Sequence, residues 1–253
     1  MSVENCNAYS LCIDVWITFV SSFKRKANFF GAEKINMLIV AIPKSASTSL
    51  MSTLGSRYQK KYSQVFFRDL RCPSETRVLH KYHSDMREID FSLAEVFRAK
   101  ESIYKQHIPP TKCNLGLIKQ LNPVILLRDT EAIVDAYFRA EVKGIHPPRP
   151  EFSEVKTVQA WRKRALDVGL VEDLNWFRDG WIDASDRHGF LLIDFRELTS
   201  TPELTVKRIE KYWSLPAAVD KHPVRLKRER YSRTVFPWIL WKKKILRVIR
   251  RIT

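Results

Sequence analysis

Short apolar runs alternate with longer amphipathic stretches along most of the chain. The apolar runs predict β-strands at residues 35–42, 76–80, 101–106, 123–128 and 189–195. The stretches between them place apolar residues at helical spacing, which predicts helices. Strands that alternate with helices indicate an α/β fold, in which a mainly parallel central sheet is flanked by helices.

Two helical patterns are especially clear. The longer covers residues 157–187, with a broad apolar face formed by Trp161, Leu166, Leu170, Leu174, Phe177 and Trp181. The other runs from about Pro202 to Trp213. Its start offers either a capping box from Ser200 or, with Thr201 as the cap, a proline at the first helical position.

The most informative segment joins the first predicted strand to a helix. Residues 38–50 read LIVAIPKSASTSL, an apolar strand followed by a lysine and small hydroxyl residues. Unpaired N–H groups and the positive end of the helix dipole hold phosphate at such a helix start, and Lys44 adds a mobile positive charge. The P-loop of nucleotide triphosphatases, G-x-x-x-x-G-K-S/T, has a different order. A serine-rich helix start that only caps itself is the alternative interpretation.

This segment resembles the 5′-phosphosulfate loop, P-K-S-G-T-T, of sulfotransferases that use 3′-phosphoadenosine 5′-phosphosulfate (PAPS). The resemblance implies that the loop binds the nucleotide through Lys44, Ser45, Ala46, Ser47, Thr48 and Ser49. Ala46 replaces the family's glycine, and Ser49 replaces a tryptophan that packs on adenine. We expect the second change to lower the affinity for the nucleotide.

A second apolar run ends in Arg128 and leads into a helix predicted over residues 131–143. Ligands of α/β folds bind at the carboxyl ends of the strands. Arg128 is therefore expected to face a nucleotide, with an ordinary surface cation as the alternative.

This run resembles the 3′-phosphate segment of sulfotransferases, R-N/D-P-x-x-x-x-x-S-x-Y. Arg128 and Asp129 match the pattern, whereas the family's serine falls on Ala136 and its tyrosine on Phe138. A missing hydroxyl donor to a charged phosphate costs roughly 1.5–3 kcal/mol unless another donor substitutes. Arg139 is the residue that we expect to compensate.

A third segment carries a histidine. Residues 104–109, YKQHIP, follow a predicted strand and resemble the sulfotransferase segment K-T-H-L/I-P. The resemblance implies that His107 is the catalytic base and that Lys105 assists at the transferring group. An imidazole with an ordinary pKa near 6.5 accepts a proton near neutral pH. A purely structural histidine is the alternative.

A fourth and softer match is residues 190–198, FLLIDFREL, in which Phe195 takes the place of a tyrosine near the adenine. A core strand of any α/β protein explains these residues equally well. The resemblance covers roughly residues 35–216 and implies a P-loop-like three-layer sandwich.

The chain is accordingly divided into three regions. Residues 1–34 are expected to form a helical segment packed on the domain, and residues 35–216 the sulfotransferase domain. The basic residues 217–253 either belong to the same domain or bind a surface. The proline-rich residues 146–150 are predicted to be a surface loop and not a domain boundary.

Positive charge is concentrated near the end of the chain. The 44 Lys and Arg exceed the 28 Asp and Glu by 16, and such a field attracts polyanions. Residues 238–251 interleave cations with apolar residues, which is typical either of a helix at a membrane surface or of a solvated helix face. Nucleic acid is not an expected partner, because no nucleic-acid motif accompanies the charge. The family's late R-K-G loop is missing, so Arg228, Arg230 or Arg233 is expected to contact the 3′-phosphate.

The first residues predict a packed amphipathic helix and not a membrane span. The apolar residues 9–23 include Asp14 and are shorter than the roughly 20 residues that cross a bilayer. Neither an export signal nor an N-x-S/T acceptor is evident, which favours a cytoplasmic location, with peripheral membrane contact through the basic segment.

The resemblance implies a PAPS-dependent sulfotransferase that moves a sulfuryl group to a hydroxyl or amine. The acceptor is a small molecule, a carbohydrate or a lipid, and no metal is expected. Lys44, Lys105 and His107 are the expected catalytic residues. A degenerate P-loop kinase and an inactive basic protein that binds membranes or nucleic acid are the alternatives.

Overall fold

Five parallel strands form the central sheet of this α/β chain. The computed structural model describes residues 37–65, 70–99, 102–145, 149–220, 223–224 and 226. The strands are β1 (Met37–Ala41), β2 (Lys61–Ser63), β3 (Ser102–Gln106), β4 (Val124–Leu127) and β5 (Leu191–Asp194). Their order across the sheet is β2-β3-β1-β4-β5, and every neighbouring pair is parallel.

Helices cover both faces of the sheet. They are α1 (Ser47–Tyr58), α2 (Leu79–Tyr82), α3 (Phe91–Ala99), α4 (Lys112–Ile118), α5 (Thr130–Val142), α6 (Val158–Asp167), α7 (Leu170–His188), α8 (Phe195–Ser200) and α9 (Pro202–Tyr212). Two short 3₁₀ helices, Lys119–Leu121 and Pro150–Phe152, complete the described elements.

Strand β1 runs through the middle of the molecule and is fully buried on both faces. Because successive strand residues point to opposite faces, Leu38 and Val40 pack against α2 to α7, whereas Met37 and Ile39 pack against α1, α8 and α9. The two hydrophobic cores lie on either side of one sheet. The result is a three-layer arrangement, and the predicted α/β fold is confirmed.

The order of the strands creates a crevice at the centre of the sheet. The chain leaves β1 toward β2 on one side, and it leaves β4 toward β5 on the other. Neighbouring strands whose connections depart in opposite directions form a topological switch point, where α/β folds bind ligands outside the carboxyl ends of the strands. The crevice between β1 and β4 is therefore the expected ligand position.

Four of the five predicted strands are confirmed, and the one at residues 76–80 is wrong. This stretch is a turn that runs into α2, because the buried carboxylate of Asp173 accepts hydrogen bonds from the N–H groups of Arg77, Val78 and Leu79 at 2.8–3.0 Å. These groups are at a helix start and lack helical partners. The unpredicted strand β2 is a short edge strand with little apolar signal.

The single helix predicted over residues 157–187 is in fact two helices. Gly169 separates α6 from α7 with a φ of +80°, a conformation that side chains disfavour. A Cβ at this position would also lie 2.4 Å from Cδ of Arg77. The break changes the phase of the apolar face, which leaves Leu166 53% exposed while Trp161 and Trp181 are buried.

The ends of the chain carry further predictions that the structure does not test. The predicted helical segment at residues 1–34 lies outside the described residues, as does most of the basic segment 217–253. Among the described helices, none is long and apolar enough to cross a membrane.

Helix α9 confirms the pattern at 202–213, with Thr201 as its cap and Pro202 at its first position.

Candidate active site

The carboxyl edge of the sheet brings together the residues that the sequence singled out. Lys44 follows β1, Lys105 and His107 lie at the end of β3, Arg128 follows β4, and Phe195 follows β5. Parallel strands place all of these positions at the same edge. Residues that are far apart in the sequence therefore surround the central crevice.

The loop between β1 and α1 has the backbone of an anion cradle. Lys44 and Ala46 have φ values of +62° and +63°, whereas Ser45 between them is not left-handed. Alternating signs of φ turn successive N–H groups toward one point, a geometry that binds anions. The hydroxyl of Ser45 donates to the carbonyl of Ile42 at 2.6 Å and so fixes the loop.

Helix α1 extends this cradle. Its first backbone bond runs from the N–H of Leu50 to the carbonyl of Ala46. The N–H groups of Ser47, Thr48 and Ser49 precede that bond, at the positive end of the helix dipole. The predicted phosphate loop thus has the local geometry that its sequence indicates.

The surroundings of Lys44 make its ammonium group more acidic than that of an ordinary lysine. Burial, followed by the positive charges of Arg149 and Lys105, lowers the pKa of Lys44 to about 8. Its ammonium nitrogen lies 5.3 Å from the centroid of the Tyr137 ring. An anion in the cradle would stabilise the charged form of Lys44, and the charged lysine would in turn strengthen the binding of the anion.

His107 is held in one tautomer. Its Nδ1 lies 2.6 Å from the carbonyl oxygen of Ala41, which only accepts, so Nδ1 carries the proton of the neutral ring. The remaining nitrogen, Nε2, therefore has a lone pair available for a proton. Lys105 Nζ lies 3.0 Å away and donates to it.

The charges around His107 keep it neutral. Burial first, then Lys105 and Lys44, lower the pKa of His107 well below its ordinary value, against the opposing hydrogen bond to Ala41. Burial also lowers the pKa of Lys105, while Asp85 raises it. A general base requires a neutral imidazole, and in this structure the Nε2 lone pair of that imidazole accepts the hydrogen bond from Lys105.

Asp85 supports this end of the site, although sequence analysis did not identify it. Its Oδ2 accepts hydrogen bonds from the backbone N–H of His107 at 2.7 Å and from Nε2 of Gln64 at 2.9 Å. The carboxylate fixes the chain at the histidine and partly offsets the charge of Lys105. Trp181 of α7 adds a hydrogen bond from its indole to the carbonyl of Ile108 at 2.9 Å.

A second histidine lies beside the first. The rings of His83 and His107 meet edge to face with centroids 4.6 Å apart. His83 Nε2 is 2.6 Å from the hydroxyl of Tyr137. Burial, then His107, lowers the pKa of His83 well below its ordinary value, against an opposing effect of Asp85. Two neutral imidazoles and a phenol thus form one wall of the site.

His83, Asp85 and His107 also have ligand atoms within 4.8 Å of one another, close enough to share a metal ion. Their surroundings oppose this role. Lys105 already occupies Nε2 of His107, and the ammonium of Lys44 lies nearby. A divalent cation would have to displace one ammonium group and tolerate the other. The arrangement suits an anion better than a metal.

Arg128 bridges the crevice between β4 and β1. Its Nη1 donates to the carbonyl of Lys44 at 2.6 Å, and its guanidinium carbon lies 3.9 Å from the centroid of the Phe195 ring. Burial, then the charge of Arg139, lowers the pKa of Arg128. The exposed Arg139 thus adds positive charge near Arg128, and its compensation for the missing hydroxyl stays a prediction.

Three further residues, Ala136, Arg228 and Arg230, are predicted to contact the nucleotide. Ala136 is half-buried on α5, one turn before Arg139, and has no side-chain donor. Arg228 and Arg230 lie outside the described residues. The structure therefore brings together Lys44, Arg128 and Phe195, but it does not test the roles assigned to these or any other site residues.

Comparison with known proteins finds likeness at the level of structure. No protein-family model matches the sequence, and no curated protein matches it. The chain is similar to mouse sulfotransferase SULT7A1 complexed with PAP, with a TM-score of 0.47 and 15% identity over 74% of this chain and 60% of the mouse chain. It is also similar to a sulfotransferase from Alicyclobacillus acidocaldarius, with a TM-score of 0.47 and 13% identity over 79% of this chain and 88% of that chain. The aligned part thus spans less than two thirds of the mouse protein.

Proposed function

We propose that the protein is a PAPS-dependent sulfotransferase. One observation carries the proposal: an anion cradle at Lys44 lies between a neutral histidine paired with Lys105 and an arginine stacked on Phe195. The four sequence segments that resemble sulfotransferases supply these residues. The acceptor would be a hydroxyl or amine of a small molecule, a carbohydrate or a lipid.

In this proposal the nucleotide lies across the β1–β4 crevice. The N–H groups at the start of α1 and the ammonium of Lys44 hold the 5′-phosphate. Arg128 and Arg139 hold the 3′-phosphate in place of the hydroxyl that Ala136 lacks. The ring of Phe195, with Arg128 on it, provides a flat surface near the adenine.

The reaction transfers the sulfuryl group in line. The acceptor oxygen forms a bond to sulfur, and the bond between sulfur and the bridging oxygen of the 5′-phosphate breaks. Nε2 of His107 takes the acceptor's proton. Lys44 stabilises the negative charge that develops on the bridging oxygen. A cation that is already in position stabilises such charge without having to reorganise during the reaction. The products are the sulfated acceptor and adenosine 3′,5′-bisphosphate.

Lys105 has two partners in this scheme. Without a ligand its ammonium donates to Nε2 of His107, the atom that the acceptor's hydroxyl must reach. A sulfuryl group in the site attracts the ammonium of Lys105. The ammonium then moves from Nε2 of His107 to the sulfuryl group, so the imidazole can accept a proton. Binding of the nucleotide thereby prepares the base.

The proposal is tested first by calorimetric titration with adenosine 3′,5′-bisphosphate without metal, beside ATP with Mg²⁺. We expect the bisphosphate to bind more tightly than ATP and Lys44→Ala to abolish its binding. Lys119→Ala, at an exposed lysine outside the site, is the matched control. A preference for ATP with Mg²⁺ would favour a kinase, and no binding of either would exclude the proposed site.

Turnover is tested separately with His107→Ala. This variant should bind the bisphosphate nearly as well as the wild type but transfer no sulfuryl group from PAPS to any acceptor that the wild type uses. Full activity in His107→Ala would remove the histidine as the base and leave the nucleotide site intact.

A further inference from the structure

A buried arginine lies beside the site and takes no part in the proposed reaction. Arg149 is 8% exposed. Its guanidinium carbon lies 4.3 Å from the ring centroid of Tyr82 and 4.2 Å from that of Tyr137. Contacts with two aromatic rings hold a guanidinium in place without neutralising its charge.

Tyr137 connects this arginine to the reacting groups. Its hydroxyl lies 2.6 Å from Nε2 of His83, which packs on His107. Its ring lies 5.3 Å from the ammonium of Lys44. Arg149 is accordingly among the charges that lower the pKa values of Lys44 and His83. The guanidinium is thus one aromatic ring away from the catalytic residues.

The charge of Arg149 is poorly matched within the protein. Among the described residues its Nη1 has no hydrogen-bond partner. Its ion pair is with Glu141, but Nη1 and Oε2 are 3.7 Å apart, beyond hydrogen-bond distance. Burial raises the pKa of the half-buried Glu141 in spite of the opposing charge of Arg149. Buried charges normally have hydrogen-bonded partners.

A purely structural role leaves this guanidinium unexplained. The loop before α6 is tied to α5 through the backbone N–H of Arg149, which donates to Oε1 of Glu141 at 3.4 Å. That bond needs no particular side chain. A residue that served only to fill the space between Tyr82 and Tyr137 would be apolar, because a buried guanidinium without full pairing is costly.

We infer that Arg149 binds an anionic group of the acceptor, specifically a carboxylate, and so positions the acceptor's hydroxyl at His107. The inference rests on the proposed function. In that function the nucleotide and the sulfuryl group use Lys44 and Lys105, whereas Arg149, which contacts the same Tyr137 ring that Lys44 faces, has no role. Its planar fork matches a carboxylate with two parallel hydrogen bonds. The preferred acceptors are therefore hydroxylated carboxylic acids.

The test compares acceptors in pairs in which one member carries a carboxylate and the other carries a neutral group at the same position. Suitable pairs are 4-hydroxybenzoate with its methyl ester, 12-hydroxydodecanoate with its methyl ester, and glucuronate with glucose. Each is titrated into protein saturated with adenosine 3′,5′-bisphosphate, and each is assayed with PAPS. We expect the carboxylate of at least one pair to bind at least about tenfold more tightly, as one charge-assisted bidentate contact provides.

Variants at Arg149 test whether this residue causes the preference for the carboxylate. Arg149→Met keeps a long side chain between the tyrosine rings and should remove the preference for the carboxylate, while the bisphosphate still binds. Arg149→Lys keeps the positive charge but not the planar guanidinium, so it should retain part of the preference for the carboxylate. Arg187→Met, at an exposed arginine of α7, is the control.

The outcomes separate this inference from the proposed function. If no pair favours its carboxylate, or if Arg149→Met retains the preference, the inference is overturned while bisphosphate binding still supports the proposed function. If Arg149→Met also loses the bisphosphate, the arginine serves the nucleotide or the fold and the inference is again overturned. If the wild type binds no bisphosphate, both fail.

Discussion

The ammonium nitrogen of Lys105 lies 3.0 Å from Nε2 of His107 at the end of β3. Residues two apart on a strand share a face, so the spacing of these residues already places them together. The carbonyl of Ala41 fixes the other ring nitrogen. The contact occupies the imidazole lone pair that the proposed reaction uses.

Removing Lys105 should change the titration of His107. In Lys105→Met the pKa of His107 should rise, because the charge of Lys105 lowers it, yet it should stay below the ordinary value because burial, the largest cause, remains. The measurement is the pH dependence of the imidazole nitrogen shifts by NMR. Lys119→Met is the control for a lost surface charge, and an unchanged His107 titration in Lys105→Met would contradict the contact.

The buried histidines predict that the protein loses stability in mild acid. His83 and His107 have pKa values well below 6.5 in the folded state, and that of His80 is also lowered, chiefly by burial. The unfolded chain therefore binds more protons below pH 6.5. Stability is fully present above that pH and falls as pH decreases, by up to about 1.4 kcal/mol per pH unit for each of His83 and His107 and by less for the more exposed His80.

Urea unfolding at several pH values between 7 and 5 measures this slope. His83→Gln and His107→Gln should each reduce the slope by about one proton, whatever they do to the stability at pH 7. A slope that is the same in both variants as in the wild type would show that these two rings do not cause the loss.

Asp173 illustrates why part of the site was hidden in the sequence. The strands and the residues that follow them were predictable, because apolar runs and local motifs mark β1, β3, β4 and β5. His83 and Asp85 follow a turn that a carboxylate from α7, some ninety positions away, holds through backbone hydrogen bonds. No local pattern records such a contact. Arg149 depends in the same way on rings from two other elements.

Replacing this carboxylate should destabilise the protein. Asp173→Asn leaves one oxygen to serve three backbone N–H groups and removes the charge that strengthens their hydrogen bonds, which should cost roughly 2–3 kcal/mol. Asp179→Asn on the same helix, at an exposed carboxylate, should change stability by less than about 0.5 kcal/mol. Chemical denaturation of the two variants provides the comparison, and equal effects would contradict the role of Asp173.

The left-handed conformation of Ala46 predicts an unusual glycine substitution. Alanine is strained at a φ of +63°, by about 1–2 kcal/mol, and glycine is not. Ala46→Gly should therefore leave stability unchanged or increase it, and nucleotide affinity should not fall. Ala160→Gly, at an exposed position of α6, should instead cost roughly 0.5–1 kcal/mol. Denaturant midpoints measure both effects, and a comparable loss in Ala46→Gly would contradict the loop geometry.

The lowered pKa of Lys44 predicts that nucleotide binding takes up protons. At pH 8 about half of the free molecules carry a neutral Lys44, since its pKa is about 8, and a bound phosphate favours the charged form. Binding of adenosine 3′,5′-bisphosphate should then take up as much as about half a proton, and affinity should fall as pH rises above 8. Calorimetry at pH 8 in two buffers with different ionisation enthalpies measures the uptake.

Lys44→Arg keeps the positive charge but does not titrate in this range, so it should bind with no uptake from this position. If the uptake persists in Lys44→Arg, another group is responsible, and Lys44 does not have the phosphate contact that the proposed reaction requires.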